Sequence, residues 1–236
     1  MALKTLGIVR TSAAIATAAT ICAVTAPADA GSVLLGGNWE ASWDSSLDGL
    51  VQIIVDGIVG DSIFIQKAAQ FTQQGPDQFG NMQVIPITFR QLGVSGINHI
   101  VINDEIITNL TGVTWTDFHM DLIDSGNAVF NPAATLASGG GGPIGWTISP
   151  FTNASFAVGN TQLNISGGPG IAHGQSWFPG DGVSDGELWI DVHSGAGTQN
   201  DPFTVFTLKE TPTIPGPAVL ALFGVGAIAG RSRRRS

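Results

Sequence analysis

Acidic and histidine side chains alternate along one predicted strand, Val113–Ile123, where they could bind a metal ion or transfer protons. The alternating residues are Asp117, His119 and Asp121. Successive side chains of a strand point to opposite faces, so these three share a face. Two carboxylates beside an imidazole suit a divalent metal or acid–base chemistry. A solvent-facing strand carries the same residue types, so an ordinary polar face remains the alternative.

A second predicted strand repeats this pattern. Its residues are Glu187, Asp191 and His193. A joint metal site containing His119 and His193 would require the two strands to be neighbours in one sheet, which the sequence does not decide.

A short acidic segment between glycines is the candidate cation loop. It reads Asp181-Gly182-Val183-Ser184-Asp185-Gly186-Glu187. The carboxylates of Asp181, Asp185 and Glu187 are oxygen ligands of the kind that calcium prefers. Val183 occupies a position that would bind the ion in an EF-hand, so an acidic turn before a strand is the alternative. We expect no cofactor, with calcium at this loop as the possible exception.

Tryptophans could provide stacking surfaces for sugars. Trp115 and Trp189 share the polar alternation of their strands, and Trp177 precedes Phe178-Pro179-Gly180. These positions predict exposed indoles, which have an apolar face and a polar edge. The alternative is that the tryptophans fill the core.

Several classes of chemistry have no support in the sequence. The only cysteine is Cys22, and no G-x-S-x-G elbow, phosphate loop or dinucleotide fingerprint is present. Residues 31–213 contain 17 acidic side chains, against Lys67, Arg90 and Lys209 as the basic ones. Such an acidic surface repels phosphate backbones, so we expect no nucleic-acid binding. We also expect no catalytic residues.

Short apolar segments between glycine, asparagine, aspartate and proline predict an all-β fold. The predicted strands are Leu50–Val55, Asp61–Gln66, Gln83–Leu92, Ile97–Ile102, Val113–Ile123, Gly145–Ile148, Ser155–Val158, Gln162–Ile165, Gly186–His193 and Pro202–Lys209. A short helix is the alternative at Ile63–Thr72, and Pro86 predicts an edge strand or a bulge. Together they predict a single jelly-roll-like β-sandwich over residues 31–213. A β-helix is the alternative, although no fixed-period repeat supports it.

The first thirty residues have the pattern of a secretory signal peptide. Lys4 and Arg10 precede a small-residue apolar run, Ala13–Ala26. Ala28-Asp29-Ala30 matches the usual cleavage site, so we expect processing after Ala30.

The C-terminal segment, residues 214–236, has three parts. Pro215-Gly216-Pro217 ends the preceding strand, Ala218–Ala229 is apolar, and an arginine cluster follows. The cluster consists of Arg231, Arg233, Arg234 and Arg235. As a helix the apolar run would be about 18 Å long, short of the roughly 30 Å hydrocarbon core.

This order of parts resembles the PEP-CTERM sorting signal of Gram-negative bacteria, with Gly216 where the family usually has glutamate. The resemblance implies processing by an exosortase, a membrane-embedded cysteine transpeptidase. It also implies transient contact with the inner membrane and delivery to the cell surface or extracellular matrix. An ordinary C-terminal membrane anchor is the alternative. Residues 109–119 are also similar to a pattern that recurs in the bodies of PEP-CTERM proteins.

The sequence therefore predicts a secreted, exosortase-sorted protein of the cell surface or matrix, non-catalytic and associated with exopolysaccharide or biofilm. The alternative is a secreted carbohydrate-binding module or carbohydrate-active enzyme on a β-sandwich. An enzyme of this kind would bring paired acids into a cleft, about 5 to 9.5 Å apart.

Overall fold

The computed structural model describes residues 31–123, 128–181, 185–193 and 204–214, which form two β-sheets. The predicted signal peptide and C-terminal sorting segment lie outside the described residues, apart from Ile214. In the described part of the chain, no helix is long and apolar enough to cross a membrane. The prediction of an all-β fold is confirmed.

The first sheet has seven strands in the order β1-β2-β5-β13-β7-β10-β9. Their bounds are β1 (Ser32–Gly36), β2 (Trp39–Ser42), β5 (Ile85–Gln91), β7 (Trp115–Ile123), β9 (Asn153–Ala157), β10 (Gln162–Ile171) and β13 (Val205–Thr213). All the pairings in this sheet are antiparallel.

The second sheet has six strands, with the order β3-β4-β6-β12-β8 and with β11 paired to β6. Their bounds are β3 (Val51–Val59), β4 (Ser62–Phe71), β6 (His99–Asn109), β8 (Ala128–Phe130), β11 (Ser176–Trp177) and β12 (Leu188–Val192). The β4–β6 pairing is parallel and the others are antiparallel. The short helix α1 (Pro132–Ala137) begins after Asn131, whose side chain accepts a hydrogen bond from the amide of Ala134.

The two sheets pack against each other in a sandwich-like arrangement. Phe71 of the second sheet contacts Trp115 and Phe118 of the first, with ring centroids 5.2 and 5.9 Å apart. Phe118 also contacts Trp177, at 5.1 Å. These aromatic rings belong to one continuous core cluster with buried residues from both sheets, and their burial is the main source of stability.

Three local expectations were wrong. Residues 63–72 form no helix, because every second side chain of β4 is buried and the segment pairs on both sides. Pro86 lies in an interior strand; pairing between β2 and β5 begins only at Thr88, so that Pro86 has a strand neighbour on one side. Residues 145–148 form a loop, in which Gly145 accepts a hydrogen bond from the amide of Gly140.

Candidate functional site

The alternating acids and histidine of β7 lie on the outer face of the first sheet. Phe118, Met120 and Leu122 are buried, as the alternation predicts. His119 Nδ1 lies 2.7 Å from Asn164 Oδ1 on the neighbouring strand β10, and Asp117 Oδ2 accepts a hydrogen bond from Thr213 Oγ1 at 3.3 Å. These side chains are therefore engaged with polar residues of the adjacent strands.

A joint site of His119 and His193 is wrong, because the two residues belong to different sheets. His119 is in β7, whereas His193 directly follows β12 of the second sheet. His193 packs beside Trp39, with ring centroids 6.1 Å apart. Within the described ranges, no three histidine, cysteine, aspartate or glutamate side chains are grouped so that they could hold a metal ion.

Two of the three predicted calcium ligands line one surface depression of about 360 Å³. Asp181 and Glu187 contribute to its wall, together with Asn103 and Asp104 at the centre of β6. Glu187 Oε2 also accepts a hydrogen bond from Trp189 Nε1 at 3.0 Å. Asp185 is described but does not line the depression, and residues 182–184 lie outside the described part. No sequence pattern groups Asp104 with these acids.

Trp115 and Trp177 are buried, so the prediction that they stack on sugars is wrong. Their exposed fractions are 0 % and 1 %. The indole of Trp115 donates to Thr111 Oγ1, and that of Trp177 donates to the carbonyl of Ile148. The alternation failed at Trp115, which lies at the start of β7 beside an irregular stretch of β10 and packs in the core against Phe71 and Phe118.

Trp189 is only half-buried, on the outer face of the second sheet. Its strand neighbours Leu188 and Ile190 are buried, which confirms the alternation there. The indole packs edge-on against Phe64, with ring centroids 6.0 Å apart, and against His99 at 5.4 Å. His99 Nδ1 lies 2.8 Å from Asp191 Oδ1. We refer to Phe64, His99, Trp189 and Asp191 as the Trp189 patch, a surface with an apolar face and polar edges.

A cluster of charged residues that no sequence pattern predicted lies between the two sheets. The side chains of Lys67 of β4, Glu105 of β6 and Glu210 of β13 are all 0 % exposed. Lys67 Nζ contacts Glu105 Oε1 and lies 2.6 Å from Glu210 Oε1. Lys67 and Glu105 are also register partners on the two parallel strands. We call these three residues the buried triad.

Burial sets the protonation of the buried triad. Removal from water, reinforced by the charge of Glu210, raises the pKa of Glu105 well above its ordinary value. Burial alone would lower the pKa of Lys67, but the two carboxylates outweigh it and the pKa is raised. Of the two carboxyl groups around Lys67, Glu105 is the one whose protonated form burial favours. The sequence does contain a signal for the burial of Lys67: it occupies the same alternate positions of β4 as the apolar Ile65 and Ala69.

Similarity to other proteins gives no further assignment. No protein-family profile matches the chain, and neither a curated protein nor a solved structure is significantly similar to it.

Proposed function

We propose that this protein is a secreted structural or adhesive component of an extracellular matrix, sorted by an exosortase and associated with exopolysaccharide. The main support is the placement of a two-sheet body between an N-terminal secretion pattern and a C-terminal Pro-x-Pro, apolar and arginine pattern. A jelly-roll strand arrangement is part of this proposal.

The distribution of acidic side chains supports a non-catalytic role. Asp117 lies on the outer face of the first sheet, and Asp191 lies on the outer face of the second sheet. Glu105 and Glu210 lie in the interior. Glycoside hydrolysis requires two carboxyl groups on either side of a substrate in an accessible cleft. The close pair of Glu105 and Glu210 is out of reach of a polymer. Asp104, Asp181 and Glu187 line one accessible depression, which is where the alternative, a carbohydrate-active enzyme, would act.

The Trp189 patch favours a second candidate function, the binding of carbohydrate. Its half-exposed indole is flanked by the imidazole of His99 and the carboxylate of Asp191. An aromatic face with hydrogen-bonding groups at its edge suits a sugar ring. Matrix association and sugar binding are compatible: carbohydrate binding by the Trp189 patch would be the contact through which the protein adheres to the matrix.

Processing in the native host tests the sorting proposal. We expect the mature protein to lack residues 1–30 and the segment beyond about Thr213, and to be found at the surface or in the medium. Intact mass and cell fractionation measure both. A variant with Pro215 and Pro217 changed to alanine should keep its C-terminus, whereas Pro212→Ala, a control upstream of the motif, should be processed normally. An intact C-terminus held in the membrane in the wild type would indicate a simple anchor and overturn the proposal.

Calcium binding by Asp181, Asp185 and Glu187 is tested by thermal unfolding. Binding to the folded state would raise the Tm of the wild type with calcium concentration. The triple variant D181N/D185N/E187Q should lose that increase. The same Tm with and without calcium in the wild type would remove calcium from the proposal.

A further inference from the structure

The buried triad brings an amine and two carboxyl groups together without water. The three side chains come from β4, β6 and β13 and are fully buried. Lys67 and Glu105 face each other in register on parallel neighbouring strands, while Glu210 reaches them from the opposing sheet. A lysine held in contact with a carboxyl group, with a second carboxylate within hydrogen-bond distance, has the parts needed for condensation.

The two glutamates have different roles in such a reaction. Glu105 contacts Lys67 directly, and burial and the charge of Glu210 raise its pKa, which favours the protonated form. A neutral carboxylic acid can be attacked by an amine, whereas a carboxylate resists attack. Glu210 Oε1, 2.6 Å from Lys67 Nζ, is placed to accept the proton that the ammonium must lose.

We propose that Lys67 and Glu105 form an intramolecular isopeptide bond, with Glu210 carrying the protons. Glu210 takes a proton from the Lys67 ammonium, and the neutral amine attacks Cδ of protonated Glu105. Glu210 returns that proton to the departing hydroxyl of Glu105, which leaves as water, and takes the remaining nitrogen proton. Ammonium, carboxylic acid and carboxylate thus become an amide, one water molecule and a neutral Glu210.

Two physical effects drive this condensation. Fixed neighbours react as if at an effective concentration of up to about 10⁵–10⁸ M. The product also contains no buried ion, so the cost of keeping charges away from water disappears. The bond would tie β4 to β6 at the centre of the second sheet. It would provide a covalent link in a body whose sequence, residues 31–213, contains no cysteine.

The wild-type protein gives the first test. We expect the intact mass of the full chain, after allowance for its actual termini, to be lower than the sequence mass by one water molecule. Dehydration at an Asp-Gly step gives the same mass change, so the link itself must be located. After denaturation, trypsin should fail to cleave at Lys67, and the fragment ending at Arg90 should stay joined to the fragment beginning at Gln91.

Fragmentation of the joined peptides identifies the acceptor. An amide between Lys67 and Glu105 supports the proposal. An amide between Lys67 and Glu210 would overturn the assignment of Glu105, and separate fragments cleaved at Lys67 would overturn the bond. This result does not depend on the proposed sorting, which is measured at the chain termini and in cell fractions.

Three variants and a control separate the roles of the residues. Lys67→Met should abolish the link. Glu105→Gln should still link, with loss of ammonia instead of water, and give the same product mass as the wild type. Glu210→Gln should slow linking by about 100-fold or more, as expected for loss of a proton carrier. Lys209→Met, a lysine next to Glu210 in sequence, should link at the wild-type rate. A folded Glu210→Gln protein that links as fast as the wild type would contradict the role of Glu210.

Discussion

The ammonium nitrogen of Lys67 in one sheet lies 2.6 Å from a carboxylate oxygen of Glu210 in the other. Both side chains are fully buried between the two sheets. A buried ion pair is a poor source of stability, because desolvation offsets the Coulomb attraction. Such a pair does fix which residues must meet when the two sheets pack together.

Removing the cation of the buried triad should destabilise the protein strongly. Relative to the unlinked wild-type chain, Lys67→Met leaves the buried Glu105 and Glu210 without a counter-charge, and we expect a loss of about 3–5 kcal/mol in the free energy of unfolding. The variant K67M/E105L/E210L should recover most of this loss, because it leaves no buried charge behind. Denaturant unfolding measures both. Equal stability of Lys67→Met and the wild type would contradict the prediction; the control Lys209→Met should stay within about 0.5 kcal/mol.

The rate of isopeptide formation should fall as the pH rises. Reaction needs neutral Glu105, whose pKa is raised well above 4.5 by burial and by Glu210. The charged groups facing Glu105 in the triad are Lys67 from β4 and Glu210 from β13. In the unlinked chain, proton binding by Glu105 favours folding fully below pH 4.5, and this contribution is lost as the pH rises through the raised pKa.

Refolding of chain recovered unfolded from inclusion bodies, followed by mass spectrometry over time, measures this rate at each pH. In Glu105→Gln the group attacked is an amide, which does not ionise, so the decrease through the raised pKa of Glu105 should be absent. A wild-type rate that increases with pH throughout would show that ionisation of Glu105 does not limit the reaction.

Truncation of Trp189 should weaken carbohydrate binding and leave the fold intact. The indole is half-exposed beside Phe64 and His99, and loss of a stacking contact should reduce affinity for the host exopolysaccharide by about tenfold. Trp43→Ala is the matched control. Trp43 is also a partly exposed tryptophan, but it follows β2 of the first sheet and lies outside the Trp189 patch. Affinity measured by calorimetry should change only in Trp189→Ala. An equal loss of affinity in both variants, or no loss in either, would exclude the Trp189 patch as the carbohydrate-binding site.

The strands were predictable where one alternating pattern governs them. Phe118, Met120 and Leu122 are buried because β7 keeps its register with its neighbours over those residues. Trp115 escaped prediction because its burial depends on tertiary contacts with Phe71 and Phe118, which the alternation within β7 does not show. A pattern within one strand cannot show which strands meet, so the contact between Lys67 and Glu210 could not be read from the sequence.

The turn between β6 and β7 is held by the side chain of one buried asparagine. Asn109 is fully buried, and its side-chain amide donates to the carbonyls of Val113 and Ile171, each at 2.8 Å. Its Oδ1 accepts from the amide and hydroxyl of Thr111, at 3.0 and 2.8 Å. That hydroxyl in turn accepts from the indole of Trp115, at 3.1 Å. One asparagine thus fixes the turn between β6 and β7.

Asn109→Ala should therefore cost about 3–5 kcal/mol, because several buried partners lose their hydrogen bonds together and each unsatisfied group costs about 1–3 kcal/mol. Asn109→Asp tests the geometry, since a carboxylate can still accept from Thr111 but cannot donate to the two carbonyls. Asn153→Ala, at an exposed position of β9, should change stability by no more than about 0.5 kcal/mol. Denaturant unfolding gives the free energies, and near-ultraviolet circular dichroism reports the packing of Trp115. A loss at Asn109 as small as that at Asn153 would mean that the turn is held by its backbone bonds alone.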